Sequence, residues 1–217
     1  MALQIDVISD VVCPWCYIGK RKLARAIKLY RERNPDAEAP RVAWHPFQLN
    51  PEMPEGGVDR GEYLERKFGG RSTEIYARVS AAGADVGIPF AFDKVTRQPN
   101  TIASHSLIML AADAGLQDAM VEALFRAYFI DGRDLTANET LSDIACAAGL
   151  AREAVQACLA SAQARENVQA EDGQARRINV EGVPFFVFNR RYAVSGAQAP
   201  EALLDAMLKS VATADDA

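Results

Sequence analysis

Cysteine, histidine and tryptophan are scarce in this chain: four, two and two among 217 residues. Structural zinc is usually held by two cysteine pairs, or by one pair with histidines. Only one close cysteine pair is present and His45 lies far from His105, so no metal site is expected. A basic block is also missing. Lys plus Arg number 24 against 29 Asp plus Glu, for a net charge of −5. That balance argues against nucleic acid or an anionic membrane surface as partner. There is no apolar run of about 18 residues or more, so no transmembrane helix is expected. The opening Met1-Ala2-Leu3-Gln4-Ile5-Asp6-Val7 has no basic start and no small-residue cleavage site. It reads as a first strand rather than a signal peptide, and the expected location is cytoplasmic. In a reducing compartment, Cys13, Cys16, Cys146 and Cys158 are expected to do chemistry or pack rather than staple the fold. No internal repeat or low-complexity segment is present.

What remains is ordinary for a soluble globular protein: 49% apolar and 24% charged residues. The length suits one domain, or one domain carrying an insert. Leu3–Ser9 alternates apolar and polar residues as a strand does. A helix opens at Cys13-Pro14-Trp15-Cys16, with Pro14 suited to the first helical position, and runs to about Arg33. Asn34-Pro35 ends it. Arg41–Phe47 is a second strand. Residues 50–61 are rich in Pro, Gly and Glu and mark a boundary. From about 61 to 177 the pattern is almost wholly helical, near 61–68, 72–84, 101–114, 117–130, 138–148, 151–160 and 162–177. Residues 85–100 read as a loop with little strand character. Phe185–Phe188 and Tyr192–Val194 form a hairpin across Asn189-Arg190. Pro200 to about Val211 is a last helix, and 213–217 should fray. The order predicts an α/β fold: a thioredoxin-like core of βαβ plus ββα, with a right-handed crossover. The core takes residues 1–60 and 178–217, and a large all-helical insertion domain takes 61–177.

Cys13-Pro14-Trp15-Cys16 carries the chemistry. Two cysteines separated by two residues at a helix start can close into a disulfide within one turn. Unpaired N–H groups and the helix dipole there favour a negative charge on the first sulfur. Cys16, one turn further in, is the expected resolving thiol. A C-x-x-C next to a βαβ pattern is a redox signature. The second motif is Gly182-Val183-Pro184-Phe185. A proline directly before a strand marks a strand start, an edge or a cis bond. In the inferred topology that strand start faces the opening of the first helix. Pro184 and Val183 would then stand beside Cys13, with Val183 backbone groups ready for an extended substrate.

Ser9-Asp10-Val11-Val12-Cys13-Pro14-Trp15-Cys16-Tyr17-Ile18-Gly19 resembles the active-site segment of DsbA-like oxidoreductases of the FrnE type. The likeness continues through Trp44–Pro51, Pro99-Asn100-Thr101, Ala103-Ser104-His105, Leu124–Phe129, Gly182–Val187 and Ser195–Gln198. It implies a thioredoxin fold with a helical insert, a nucleophilic Cys13, a resolving Cys16 and a cis Pro184. It also implies substrate-facing roles for Pro14, Trp15, Val183, Asn100 and His105. Glutathione-dependent 2-hydroxychromene-2-carboxylate isomerases and kappa-class glutathione transferases resemble the chain too, but they typically carry serine at the position of Cys13 and lack the second cysteine. Trp15 stands where the best-known DsbA oxidants have histidine. It supplies no positive charge, which points to a weaker oxidant, a reductase or an isomerase.

The resulting expectation is a thiol–disulfide oxidoreductase acting on disulfide-containing proteins or thiol substrates, as monomer or homodimer. It needs no metal or organic cofactor, and glutathione is a candidate redox partner. The alternatives are a glutathione-dependent isomerase or transferase on the same fold, and a non-enzymatic binding module or holdase. His45 reads as structural. Cys146 and Cys158 read as small apolar core residues rather than a second redox pair. Leu124, Phe125, Tyr128 and Phe129 read as a core stripe. The basic helix 20–33 reads as a solvated face.

Overall fold

The computed structural model describes residues 2–212; the expected fraying of 213–217 lies outside them. Four strands form one mixed sheet in the order β2-β1-β5-β6. β1 (Gln4–Ser9) runs parallel to β2 (Arg41–Pro46), with α1 (Pro14–Arg33) as the crossover. β5 (Phe185–Phe188) runs antiparallel to β1, and β6 (Tyr192–Ser195) closes the hairpin. α9 (Pro200–Ala212) packs on α1. This is a thioredoxin-like core, βαβ followed by ββα.

Between the two halves come α2 (Arg60–Phe68), α3 (Ser72–Ala84), α4 (Ile102–Asp113), α5 (Gln117–Phe129), α6 (Asn138–Ala147), α7 (Arg152–Ala160) and α8 (Ala162–Arg177). The segment is not wholly helical. β3 (Val58–Asp59) and β4 (Arg97–Gln98) pair as a second, two-stranded sheet. Two-residue strands have no periodicity to read, which is why the pattern at 85–100 suggested only a loop.

Each face of the main sheet has its own cover. Ile5 and Val7 pair with Phe188 and Phe186 and point into the large core with Leu23, Trp44, Phe125 and Phe129. On the opposite face Ile8, Phe47, Ala175 and Val180 make a smaller cluster under α8. Leu124, Phe125, Tyr128 and Phe129 are all buried, and the Tyr17 ring stacks on Phe125 at 5.0 Å. This is the packing that the helical spacing predicted.

The basic helix is only partly a solvated face. Lys20 is buried, with Nζ 2.9 Å from Asp118 and 3.3 Å from Glu122. Arg21 pairs with Glu122 at 2.5 Å, and Lys22 donates to the Ala197 carbonyl at 2.8 Å. These three meet α5 and the loop before α9, while Lys28 and Arg31 stay exposed.

Candidate active site

The site is built by register. Ile8 pairs with Phe185, so the end of β1 and the start of β5 lie side by side. Residues 10–16 therefore leave the sheet directly beside Val183 and Pro184. The Val183–Pro184 peptide is cis, and the Pro184 carbonyl accepts from Gly196 N at 2.8 Å. α1 can lie against this turn because of Gly19. A Cβ there would stand 2.9 Å from Pro184 Cγ and 3.1 Å from Phe186 Cζ.

Cys13 is the N-cap of α1, in extended conformation, and Pro14 follows at the first helical turn. Its amide donates to the Asp10 carbonyl at 3.0 Å, and its carbonyl accepts from Cys16 N at 3.0 Å. The Cys13 thiol donates to the Val183 carbonyl at 3.5 Å. Both cysteines are free thiols. Cys13 is 4% exposed and Cys16 wholly buried, whereas Trp15 between them is 40% exposed. An extended segment reaching the dithiol would thus meet the Trp15 ring first. Burial pushes the Cys16 thiol well above the ordinary range, and its hydrogen bond to Cys13 adds to that; a hydrogen bond from the Asp10 backbone opposes it.

Pro14, Trp15, Val183 and Pro184 are brought together around Cys13. The side chains of Asn100 and His105 are engaged by the protein itself. The half-buried Asn100 donates to the Met53 carbonyl at 2.7 Å and accepts from Ile102 N at 3.0 Å, so both ends of its amide serve the backbone. Thr101 makes no such side-chain cap. His105 is 1% exposed. Its Nε2 lies 3.2 Å from Asp10 Oδ1, because the helical period turns it inward toward the end of β1.

Asp10 was not singled out by sequence. It is 1% exposed, and its other oxygen accepts from Leu49 N at 2.8 Å. The available signal was a lone carboxylate in the segment Ile8-Ser9-Asp10-Val11-Val12, directly before the cysteine motif. Around it lies further buried polar chemistry. Tyr128 donates to the Arg97 carbonyl at 3.1 Å and reaches Gln98 Oε1 at 3.4 Å. Arg60 donates to Gln98 and to Tyr76, with its guanidinium 5.5 Å over the Tyr63 ring. Burial raises the Tyr128 hydroxyl strongly, and Arg60 pulls the other way.

A model of the DsbA-like thioredoxin domain matches residues 4–208. The chain belongs to the DsbA-like thioredoxin domain family. Among solved structures it is similar to a probable DsbA oxidoreductase from Streptomyces coelicolor, at 30% identity and a TM-score of 0.84, covering 97% of this chain and 90% of that one. A 2-hydroxychromene-2-carboxylate isomerase shares the fold at 17% identity, TM-score 0.75, with 98% of each chain covered. So does the cytosolic disulfide reductase DsbM of Pseudomonas aeruginosa, solved with glutathione, at 21% identity and TM-score 0.63, again with 98% of each chain covered. Membership makes this DsbA-like protein a thiol-redox enzyme by family.

The second cysteine pair stands apart. Cys146 and Cys158 are half-buried free thiols. Cys158 donates to the Ser106 carbonyl at 3.5 Å, and burial raises its thiol above the usual range. His45, on β2, lies between Asp6 at 3.0 Å and Glu171 at 3.2 Å, one carboxylate on each ring nitrogen.

Proposed function

We propose that this protein is a thiol–disulfide oxidoreductase that works on protein or small-molecule disulfides through the Cys13–Cys16 dithiol. The observation that carries the reading is the Cys13–Cys16 pair at the start of α1, with the Cys13 thiol on the Val183 carbonyl beside Pro184. Cys13, as thiolate, attacks one sulfur of a substrate disulfide. A mixed disulfide forms on Cys13, and the other substrate sulfur leaves as a thiolate. Cys16 then attacks Cys13 Sγ, the bond to the substrate breaks, and the protein is left as the Cys13–Cys16 disulfide. The substrate disulfide has been reduced to two thiols, and the protein dithiol oxidised. Run backwards, the same steps donate the disulfide.

Val183 and Pro184 position an extended substrate, and Trp15, exposed beside the sulfur, covers its apolar side chains. Pro14 sets the first turn so that both thiols fall on one side of the helix end. No helix is long and apolar enough to cross a membrane among the described residues. We place the reaction in the cytoplasm, where a glutathione pool would return the dithiol to its reduced form. The glutathione held by DsbM, which shares the fold, supports that choice of reductant.

An equilibrium redox titration against glutathione tests the proposal. A reversible two-electron transition that disappears in Cys16→Ser is expected. Saturable glutathione binding without any transition, and turnover that survives Cys16→Ser, would contradict it in favour of an isomerase or transferase.

A further inference from the structure

Two basic side chains besides histidine are buried among the described residues, Lys20 and Arg60. Lys20 has two carboxylates, Asp118 at 2.9 Å and Glu122 at 3.3 Å. Arg60 is 6% exposed, and among the described residues no carboxylate pairs with it. Its neighbour in sequence, Asp59, caps α2 and accepts from Glu62 N at 3.0 Å. Only two of the guanidinium donors have side-chain acceptors, Gln98 Oε1 and the Tyr76 hydroxyl, and both acceptors are neutral. The Tyr63 and Tyr76 rings flank the group at 5.5 and 5.4 Å. A buried cation without a counter-charge is costly in a fold. A guanidinium also presents its donors as a planar fork that matches a carboxylate.

The groups around Arg60 are donors too. The Tyr76 hydroxyl accepts from Arg60, and no described residue accepts its own proton. Burial raises this hydroxyl above its ordinary value and so keeps it an O–H donor, although Arg60 pulls the other way. Lys67 Nζ donates to the Tyr63 hydroxyl at 2.6 Å and lies 5.2 Å over its ring, and among the described residues it has no carboxylate partner either. Gln98 and Tyr128, each 1% exposed, close the cluster on its inner side. The half-buried Tyr76 and the exposed Lys67 form its open side. Contacts lead from here to the dithiol. Tyr63 donates to Asn50 Oδ1 at 3.0 Å. Asn50 follows Leu49, whose amide holds the Asp10 side chain, and the Asp10 carbonyl accepts from Cys13 N. The Cys13 charge in turn adds to the rise of the Tyr76 hydroxyl.

We propose that Arg60, Tyr76 and Lys67 form a subsite for a carboxylate carried by the substrate, so that the dithiol favours anionic disulfides over neutral ones. The inference rests on the dithiol reading above and adds to it the class of substrate. Arg60 offers its unclaimed N–H donors, Tyr76 its O–H and Lys67 its ammonium group. The carboxylate supplies the counter-charge that Arg60 lacks. It stays ionised and unchanged while the exchange proceeds at Cys13. All three residues come from the insert, on α2 and α3. The insert thereby selects what the thioredoxin-like core reacts with.

Single-turnover oxidation by a matched pair of alkyl disulfides tests the subsite. Reduced protein is mixed with dithiodipropionate, which carries carboxylates, or with neutral hydroxyethyl disulfide, and loss of the dithiol is followed by acid quench and thiol counting. The readout is the ratio of the anionic to the neutral rate constant, because a change that merely loosens the fold moves both. Arg60→Gln is expected to lower the ratio by about tenfold, the worth of one charge-assisted hydrogen bond, and Tyr76→Phe by a smaller factor. An unchanged ratio in Arg60→Gln would overturn the inference. Should Arg60→Gln not fold, Tyr76→Phe and Lys67→Gln decide, since the first removes only a hydroxyl and the second alters an exposed side chain. Wild-type ratios in both of these would overturn it. Wild-type protein that is oxidised by neither disulfide would instead overturn the dithiol reading itself.

Discussion

Gly19 shows how little room the site leaves at the residue scale. Its missing side chain lets α1 lie against Pro184 and Phe186, two rings with no flexible end to swing away. Gly19→Val puts a branched side chain into that contact. Overpacking of this kind costs about 1–3 kcal/mol, and valine gains little as a helix former. The expected outcome is a denaturation midpoint lowered by that amount, together with slower disulfide exchange, because Pro184 is what moves; unchanged exchange kinetics would speak against the contact. Cys13 and Cys16 were legible in the sequence because a C-x-x-C at a helix start has few other uses. Asp10 was not, since a single carboxylate carries no spacing signal until the fold encloses it. His105 was legible as a candidate, but its side of the helix was not. Only the packing of α4 turns it onto Asp10.

At the scale of elements, α1 is held to the insert by charge as well as by rings. Glu122 on α5 accepts from Tyr17 at 2.8 Å and pairs with Lys20 and Arg21. Burial alone would raise the Glu122 carboxyl, but hydrogen bonds from Arg21 and Tyr17 and the Lys20 charge hold it below the usual 4.5. The same burial and the same carboxylate push the Tyr17 hydroxyl up to about 12. A depressed carboxyl adds stability that is present above its unfolded value and is lost as pH falls through its folded one. Glu122→Gln is therefore expected to destabilise by about 1–2 kcal/mol at neutral pH, a modest figure because the side chain is 30% exposed. The gap between variant and wild type should close below the folded value. Denaturant titrations at neutral and acid pH check this, and a gap independent of pH would contradict it. Sequence patterning found α1 to α9 to within a few residues, because helices of this length carry clear apolar periods. It missed β3 and β4 for the opposite reason, and it left Lys20 to Lys22 among solvated charges because a basic run does not reveal its partners.

For the whole molecule, the ends of the chain assemble one sheet, and the segment between them returns to it through α4, α5 and α8. His45 is one of the ties. Hydrogen bonds to Asp6 and Glu171 raise it from an ordinary 6.5 to about 9, against a smaller opposing effect of burial. A histidine raised in the folded state adds stability that is fully present below about pH 6.5 and is lost as pH rises through about 9. His45→Gln should cost on the order of 1–2 kcal/mol near pH 6, after allowance for screening of a partly exposed pair. Its stability should meet that of the wild type above about pH 10. The βαβ and ββα order made the thioredoxin-like core readable, since a crossover and a hairpin admit few sheets. The placement of α8 on the sheet was not readable, because it depends on contacts such as His45–Glu171 that join residues 126 positions apart. The central claim is that Cys13 attacks and Cys16 resolves, and trapping tests it most directly. Cys16→Ser protein is mixed with a disulfide-containing peptide and the adduct is mapped by mass spectrometry. The account predicts one peptide per chain, joined to Cys13. An adduct on Cys146 or Cys158 with Cys13 left free, or no adduct at all, would contradict it.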